Sequence, residues 1–333
     1  MNESSVTTGG REGARPGREA TTGANVPPGG GGPRRRRQRD RPEFRSYYDL
    51  PIVNKMVWAT PDVGGYLFVG GLAGASGVIA AAAHATGRRR LRRAGKVTAA
   101  GGTYLSLVML IHDLGRPARF LNMLRMFKIT SPMSVGSWLL SGFGAAASVA
   151  AATDLSGKAP KLGAVATVGA AALGPAVATY TAALISDTAV PAWHDGYREM
   201  PFVFASSALA AAAGLGLLVA PTEEATPLIP LAVGAGLGEM GLTKLMQARM
   251  GIVKETYEKG RAGKYLRAAE GLTAGGVVLA ATGRRSRLVT GTAGVALLGG
   301  SLLTRLGIFT AGIASNEDPK YTVVPQRERL EQR

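Results

Sequence analysis

The sequence contains no cysteine. That excludes disulfides, cysteine-ligated iron–sulfur clusters and c-type haem attachment on this chain, so metal-centred redox chemistry must belong to a partner. Histidine is almost as scarce: His84, His112 and His194 are the three in 333 residues. A di-haem anchor needs two axial pairs, and three histidines exclude it; a single haem held by His112 and His194 is the most the composition allows, and no haem is expected. Acidic residues are few, 22 against 39 lysines and arginines, for a formal net charge of +17. In a soluble chain that excess would point to nucleic acid. Here it gathers in the N-terminal tail and in short segments between long apolar runs, which assigns it to lipid headgroups and not to nucleic acid.

What the sequence does have is apolar length. Hydrophobic residues make up 46% of the chain and collect in runs rich in Ala, Gly, Val and Leu. A helix rises ~1.5 Å per residue, so about 20 apolar residues cross a hydrocarbon core of ~30 Å. Backbone groups must be paired inside lipid, so these runs have to be helices. Eight spans are predicted, near 62–84, 97–112, 134–152, 162–185, 201–220, 228–247, 267–283 and 288–313. The expected fold is an all-α, polytopic bundle of about eight transmembrane helices in the cell membrane. The 47 glycines suit such a bundle, where small residues let helices approach closely.

The chain divides into three parts: a basic tail over 1–46, a transmembrane domain over 47–315 and a polar C-terminal tail over 316–333. The first part is rich in Gly, Pro and Arg, includes the run Arg34 to Arg37, and has too few large apolar residues to bury a core. No apolar stretch follows its arginines closely, so it reads as a disordered tail and not as an export signal. Eight spans put both termini on one face, called side A. Short-loop charges nearly balance between the faces, and the arginine-rich tail favours a cytoplasmic side A.

Following the chain, ionisable and hydrogen-bonding groups accumulate towards side A. Asp62 and Tyr66 open the first span, and His112 and Asp113 close the second. Tyr180 lies near the side-A end of the fourth, Glu239 and Arg305 stand inside the sixth and eighth, and Glu270 enters the seventh from side A. Such groups are costly in a bilayer, and their concentration in one half predicts a polar site there. His84 and the Arg88–Arg93 cluster fall on side B and read as headgroup contacts.

One side-A loop is patterned beyond what a basic connector needs. It runs from His112 through Asp113-Leu114-Gly115-Arg116-Pro117 and Arg119 to Thr130-Ser131-Pro132-Met133-Ser134. Gly115 and Pro117 favour a turn, and Pro132 suits a helix start capped by Ser131 or Thr130. The string DLGRPARFLNMLRMFKITSPMSVGSW resembles the signature of the NrfD/PsrC family, the membrane anchors of molybdopterin oxidoreductases such as polysulfide reductase. WATPDVGGYLFVGGLAG, from Trp58, is similar to that family's first span, and YTAALISDTAVPAW, from Tyr180, to the end of its fourth.

The resemblance implies a subunit that anchors an oxidoreductase and exchanges electrons with menaquinone or ubiquinone. Its implied partners are a ferredoxin-like iron–sulfur subunit and a molybdopterin catalytic subunit. In the polysulfide reductase anchor an Asn and a His on the first span, with a Tyr on a later one, hold the quinone. Asp62 and Tyr66 stand at the matching first-span positions, and Tyr180 matches the Tyr. The quinone-binding candidates are therefore Asp62, Tyr66, His112 and Tyr180. The proton-path candidates are Glu239, Asp113, Glu270 and Arg305. Arg116, Arg119, Arg125, Lys128, Trp193 and His194 are the candidates for docking a partner.

Each residue also has a plainer role open to it. Tyr180 can anchor at the interface. Asp113 can pair with Arg116 or Arg119, Glu270 can be interfacial, and Glu239 can be either a proton relay or an ion pair with Arg305. Two other functions stay open: a secondary transporter or ion-translocating protein built on Glu239 and Arg305, and a structural anchor without quinone chemistry. The chain is not expected to turn over a soluble substrate alone.

Overall fold

A computed structural model describes Trp58, residues 60–114, 118–283 and 286–331, and the short stretches 6–7 and 10–11. The expected tail over 1–46 lies outside the described residues, apart from a two-residue antiparallel pairing of Val6–Thr7 with Gly10–Arg11. Arg116 lies outside them as well. Contacts group the chain into Val57–Ile313 as one unit, and Met1–Met56 with Ala314–Arg333 as another. In the second, the polar C-terminal stretch forms a helix, Lys320–Glu331, with Pro325 inside it.

The first unit is built from long helices: α1 Thr60–Ala85, α2 Arg89–Asp113, α3 Pro132–Ser156 and α4 Pro160–Ser186. After these come α5 Met200–Val219, α6 Leu228–Arg249, α7 Gly260–Thr282 and α8 Arg287–Glu317. All eight predicted spans are thus present as helices. Seven of them are long and apolar enough to cross a membrane. The exception is α7, whose first eleven residues carry Arg261, Lys264, Arg267 and Glu270. Four ionisable groups in that length belong at headgroup or aqueous depth, so only its C-terminal part has membrane-like composition.

Local chemistry sets the helix ends. Ser131 accepts a hydrogen bond from the Ser134 amide and Pro132 occupies the first turn of α3, as the loop pattern predicts. Gly157 closes α3 with φ of 70°, a left-handed conformation in which glycine pays no Cβ clash. Two caps come from distant sequence. Glu224 Oε2 accepts from the Leu91 amide at 2.8 Å, satisfying a free donor in the first turn of α2. The Arg287 guanidinium donates to the Leu217 and Leu218 carbonyls, capping the C-terminus of α5.

Packing follows the small residues. A Cβ on Gly74 would sit 2.5 Å from the Gly174 carbonyl oxygen, so α1 and α4 meet backbone to backbone. Gly214 and Gly294 repeat the device between α5 and α8, where a Cβ on Gly294 would come within 2.2 Å of the Gly214 oxygen. Close approach of this kind replaces the hydrophobic drive that lipid cannot supply. Around it lies an alanine-rich core that includes Ala208, Ala210, Ala212 and Ala213.

Contacts between helix ends define two ends of the bundle. Asp62 meets His112 at one, the predicted side A. Lys96 meets His84 and Asp154 at the other.

Candidate functional site

At the side-A end, Tyr66 is buried nearly two turns inside α1 and Tyr180 is half-buried on α4. Their hydroxyls are hydrogen-bonded to each other across 114 residues of sequence. Tyr180 reaches this position over a glycine, because a Cβ on Gly136 of α3 would lie 2.4 Å from its ring. Four residues before Tyr66, one turn nearer the end of α1, Asp62 Oδ2 accepts from His112 Nδ1 at 3.0 Å. The imidazole is largely exposed while the carboxylate is mostly covered. All four candidate quinone-binding residues are thus joined in two pairs on the side-A portions of α1, α2 and α4.

A groove of about 420 Å³ runs over the outer surface at this end. It is lined by Ile129, Thr130, Pro132, Val135, Tyr180 and Asp187, among others. The loop feeding it is apolar and open: Met126, Phe127 and Ile129 are each at least 60% exposed. Phe127 is steadied edge-on by Trp138, with ring centroids 6.2 Å apart. This end thus sets a tyrosine hydroxyl pair beside an open, largely apolar lining.

The remaining candidates separate. Arg119 donates to the Leu114 carbonyl at 3.0 Å and so orders the loop that follows α2. Arg125 and Lys128 are exposed on that loop. Trp193 is not a docking residue. It is fully buried, stacked between Trp58 and Phe309, and its indole N–H donates to the Ile308 carbonyl at 2.9 Å. An indole with its donor satisfied inside the chain contributes packing and has no surface to offer. His194 Nδ1 donates to the Ser186 carbonyl at 3.2 Å, so the two side-A histidines are engaged with different partners. Among the described residues no group of three or more His, Asp or Glu is arranged to hold a metal ion.

Glu239 and Arg305 do not form the ion pair that was one of the two expectations for them. Arg305 is fully buried and gives its guanidinium N–H groups to the carbonyls of Leu67 (3.3 Å) and Phe204 (2.6 Å). The guanidinium also lies 3.7 Å over the Phe204 ring. Helix carbonyls and a ring face thereby take the place of a carboxylate. Glu239 is 2% exposed, and neither of its oxygens completes a hydrogen bond. Glu270 pairs instead with Lys244 at 2.5 Å on the exposed side of α6 and α7.

Sequence reading missed three buried polar contacts. Asp154, at the C-terminal end of α3, meets Arg92 at 2.7 Å and Lys96 at 3.3 Å, and Lys96 is 3% exposed. Part of the side-B basic cluster therefore turns inward to a carboxylate and away from headgroups. Glu199 pairs with Arg249 at 2.8 Å. Tyr257, in the short helix Glu255–Glu258, donates to the Ala192 carbonyl at 2.6 Å, and burial pushes its phenol above the usual range. The i,i+4 spacing that exposes helix-surface pairs to a reader is missing from these three, since each joins distant segments.

Seven helices long and apolar enough to span define a multi-pass helical membrane protein. Residues 51–227 match the family described as polysulphide reductase, NrfD, and the chain belongs to that family. The match contains α1 to α5, and so both tyrosines, the Asp62–His112 pair and the patterned loop; Glu239 and Arg305 lie beyond it. No curated protein matches the chain significantly.

Proposed function

We propose that this chain is the membrane anchor of an oxidoreductase complex and exchanges electrons between an iron–sulfur partner and membrane quinone. The observation that carries the reading is the part-buried Tyr66–Tyr180 hydroxyl pair, which lies in the family-matched half and adjoins an open apolar groove. Bound quinone would supply the redox chemistry, taking up or releasing two electrons with two protons. Tyr180, on the groove wall, has its hydroxyl placed to turn from Tyr66 to a quinone oxygen. Tyr66 holds the hydroxyl in place until then. The Asp62–His112 pair, an imidazole open to water and backed by a carboxylate, holds or passes a proton at the same end. The exposed basic and apolar loop around Arg119, Arg125 and Lys128 would meet an iron–sulfur subunit, whose own partner would be the molybdopterin subunit. The metal chemistry would be theirs, and position, donors and proton access would be this chain's. The arginine-rich N-terminal segment favours a cytoplasmic placement of the site end.

Purification in mild detergent tests the anchor: iron–sulfur and molybdenum-containing subunits should co-isolate, and a homo-oligomer alone would sink it. Tyr180→Phe and His112→Ala test the exchange. Each should slow quinone-linked turnover and leave turnover with a soluble dye intact. Equal loss with both acceptors would assign these residues to assembly.

A further inference from the structure

The site above leaves one buried carboxyl unused. A cleft of about 370 Å³ runs between α6 and α7, beginning among Gln247, Glu258 and Arg267 at the side-A end and reaching Glu239 and Thr304. From Gln247 to Glu239 is eight residues, or about 12 Å along the helix. Near its mouth are Lys244, Glu270 and Arg267, so water fills it more readily than lipid tails do. The cleft has room for several waters, and water requires polar partners of this kind.

At its inner end Glu239 meets the Thr304 and Ser207 hydroxyls without closing a hydrogen bond to either. Ser207 also shares a hydrogen bond with Ser301, 2.8 Å away. Arg305 stands nearby, beyond ion-pairing distance and already held by the Leu67 and Phe204 carbonyls. The titratable or charged groups facing the cleft are Lys244 from α6, Tyr257 and Glu258 from the turn before α7, and Arg267 and Glu270 from α7; Arg305 of α8 acts on Glu239 from outside it.

We infer that Glu239 is a one-sided proton-exchange site, taking up and releasing protons through this cleft with the aqueous phase at the side-A end. An unpaired carboxylate in such surroundings is costly, and the neutral acid is the form that burial tolerates. A metal cation is a poor occupant, since hard cations want six or more oxygens and the charge of Arg305 close by disfavours them. The site stands beyond the family-matched residues and does not depend on quinone.

A membrane-impermeant carbodiimide with an amine nucleophile, applied to the full complex in sealed vesicles of each orientation, tests this. Such reagents require a protonated carboxyl. Lys158→Cys, in the side-B turn of an otherwise cysteine-free chain, reports which end faces out. At neutral pH the adduct, located by peptide mass spectrometry, should fall on Glu239 only when the side-A end faces the reagent. It should vanish in Glu239→Gln and drop severalfold in Thr243→Phe, which narrows the cleft. No adduct at Glu239 in intact complex, labelling from side B, or protection by sodium at constant pH would each overturn the assignment. Labelling needs no quinone, so its failure is distinct from failure of the quinone reading.

Discussion

The hydroxyls of Tyr66 and Tyr180 share a hydrogen bond that joins two helices at the site end of the bundle. Each ring alone is an unremarkable interfacial residue, and together they tie α1 to α4 at the site end. Removing one hydroxyl strands the other. Tyr66→Phe and Tyr180→Phe should each cost about 1 kcal/mol of stability, with the double variant costing less than the sum. Thermal unfolding of the four proteins in one detergent measures that coupling, and strict additivity would mean that the pair contributes nothing as a pair.

Gly136→Ala should act on Tyr180 from the opposite helix. Its new methyl group would stand 2.4 Å from the ring, so the ring must move. Quinone-linked turnover is expected to fall about as far as in Tyr180→Phe, on the order of tenfold for one lost hydrogen bond. Gly142→Ala, where the nearest atom is Leu173 Cδ1 at 3.5 Å, is the matched control and should behave as wild type.

Asp154→Asn should be among the most destabilising single changes at the side-B end. It leaves Lys96, 3% exposed, and Arg92 without their carboxylate. Breaking a buried pair from one side costs about 3 kcal/mol or more. Lys96→Met removes the most deeply buried cation and should restore much of the loss when combined with Asp154→Asn. The comparison is the denaturation midpoint of the double variant against that of Asp154→Asn alone; no recovery would place the damage elsewhere.

Arg305→Lys is expected to fail as a substitute although it keeps the charge. An ammonium cannot span two helix carbonyls and lie flat on Phe204 as the guanidinium does. Expression and thermal unfolding should show a loss of about 2 kcal/mol or more. A Lys variant as stable as wild type would show that charge alone matters at this position.

The bundle was legible because its signal is local. Each span announces itself by about 20 apolar residues, so eight long helices were predicted and all eight are found among the described residues, with Ser131 and Pro132 starting α3 where the loop pattern placed them. Depth was less legible. The apolar second half of α7 reads as a span, but Arg261, Lys264, Arg267 and Glu270 keep the whole helix from being one. Surface and interior were confused at Trp193, because an aromatic in a polar loop looks the same from sequence whether it faces a partner or Phe309.

By itself the sequence determined the class of protein, the helix order, the end at which polar groups gather and the family, since all of these rest on composition and contiguous pattern. Only the tertiary structure decided partners. It joined Tyr66 to Tyr180 and Asp62 to His112, gave Lys96 to Asp154, and separated Glu239 from Arg305 while setting the acid at the end of a polar cleft. The reason is geometric. Hydrogen bonds and ion pairs act over about 3–4 Å, and helix rotation and crossing, governed here by contacts such as Gly74 on Gly174, choose which distant side chains come that close.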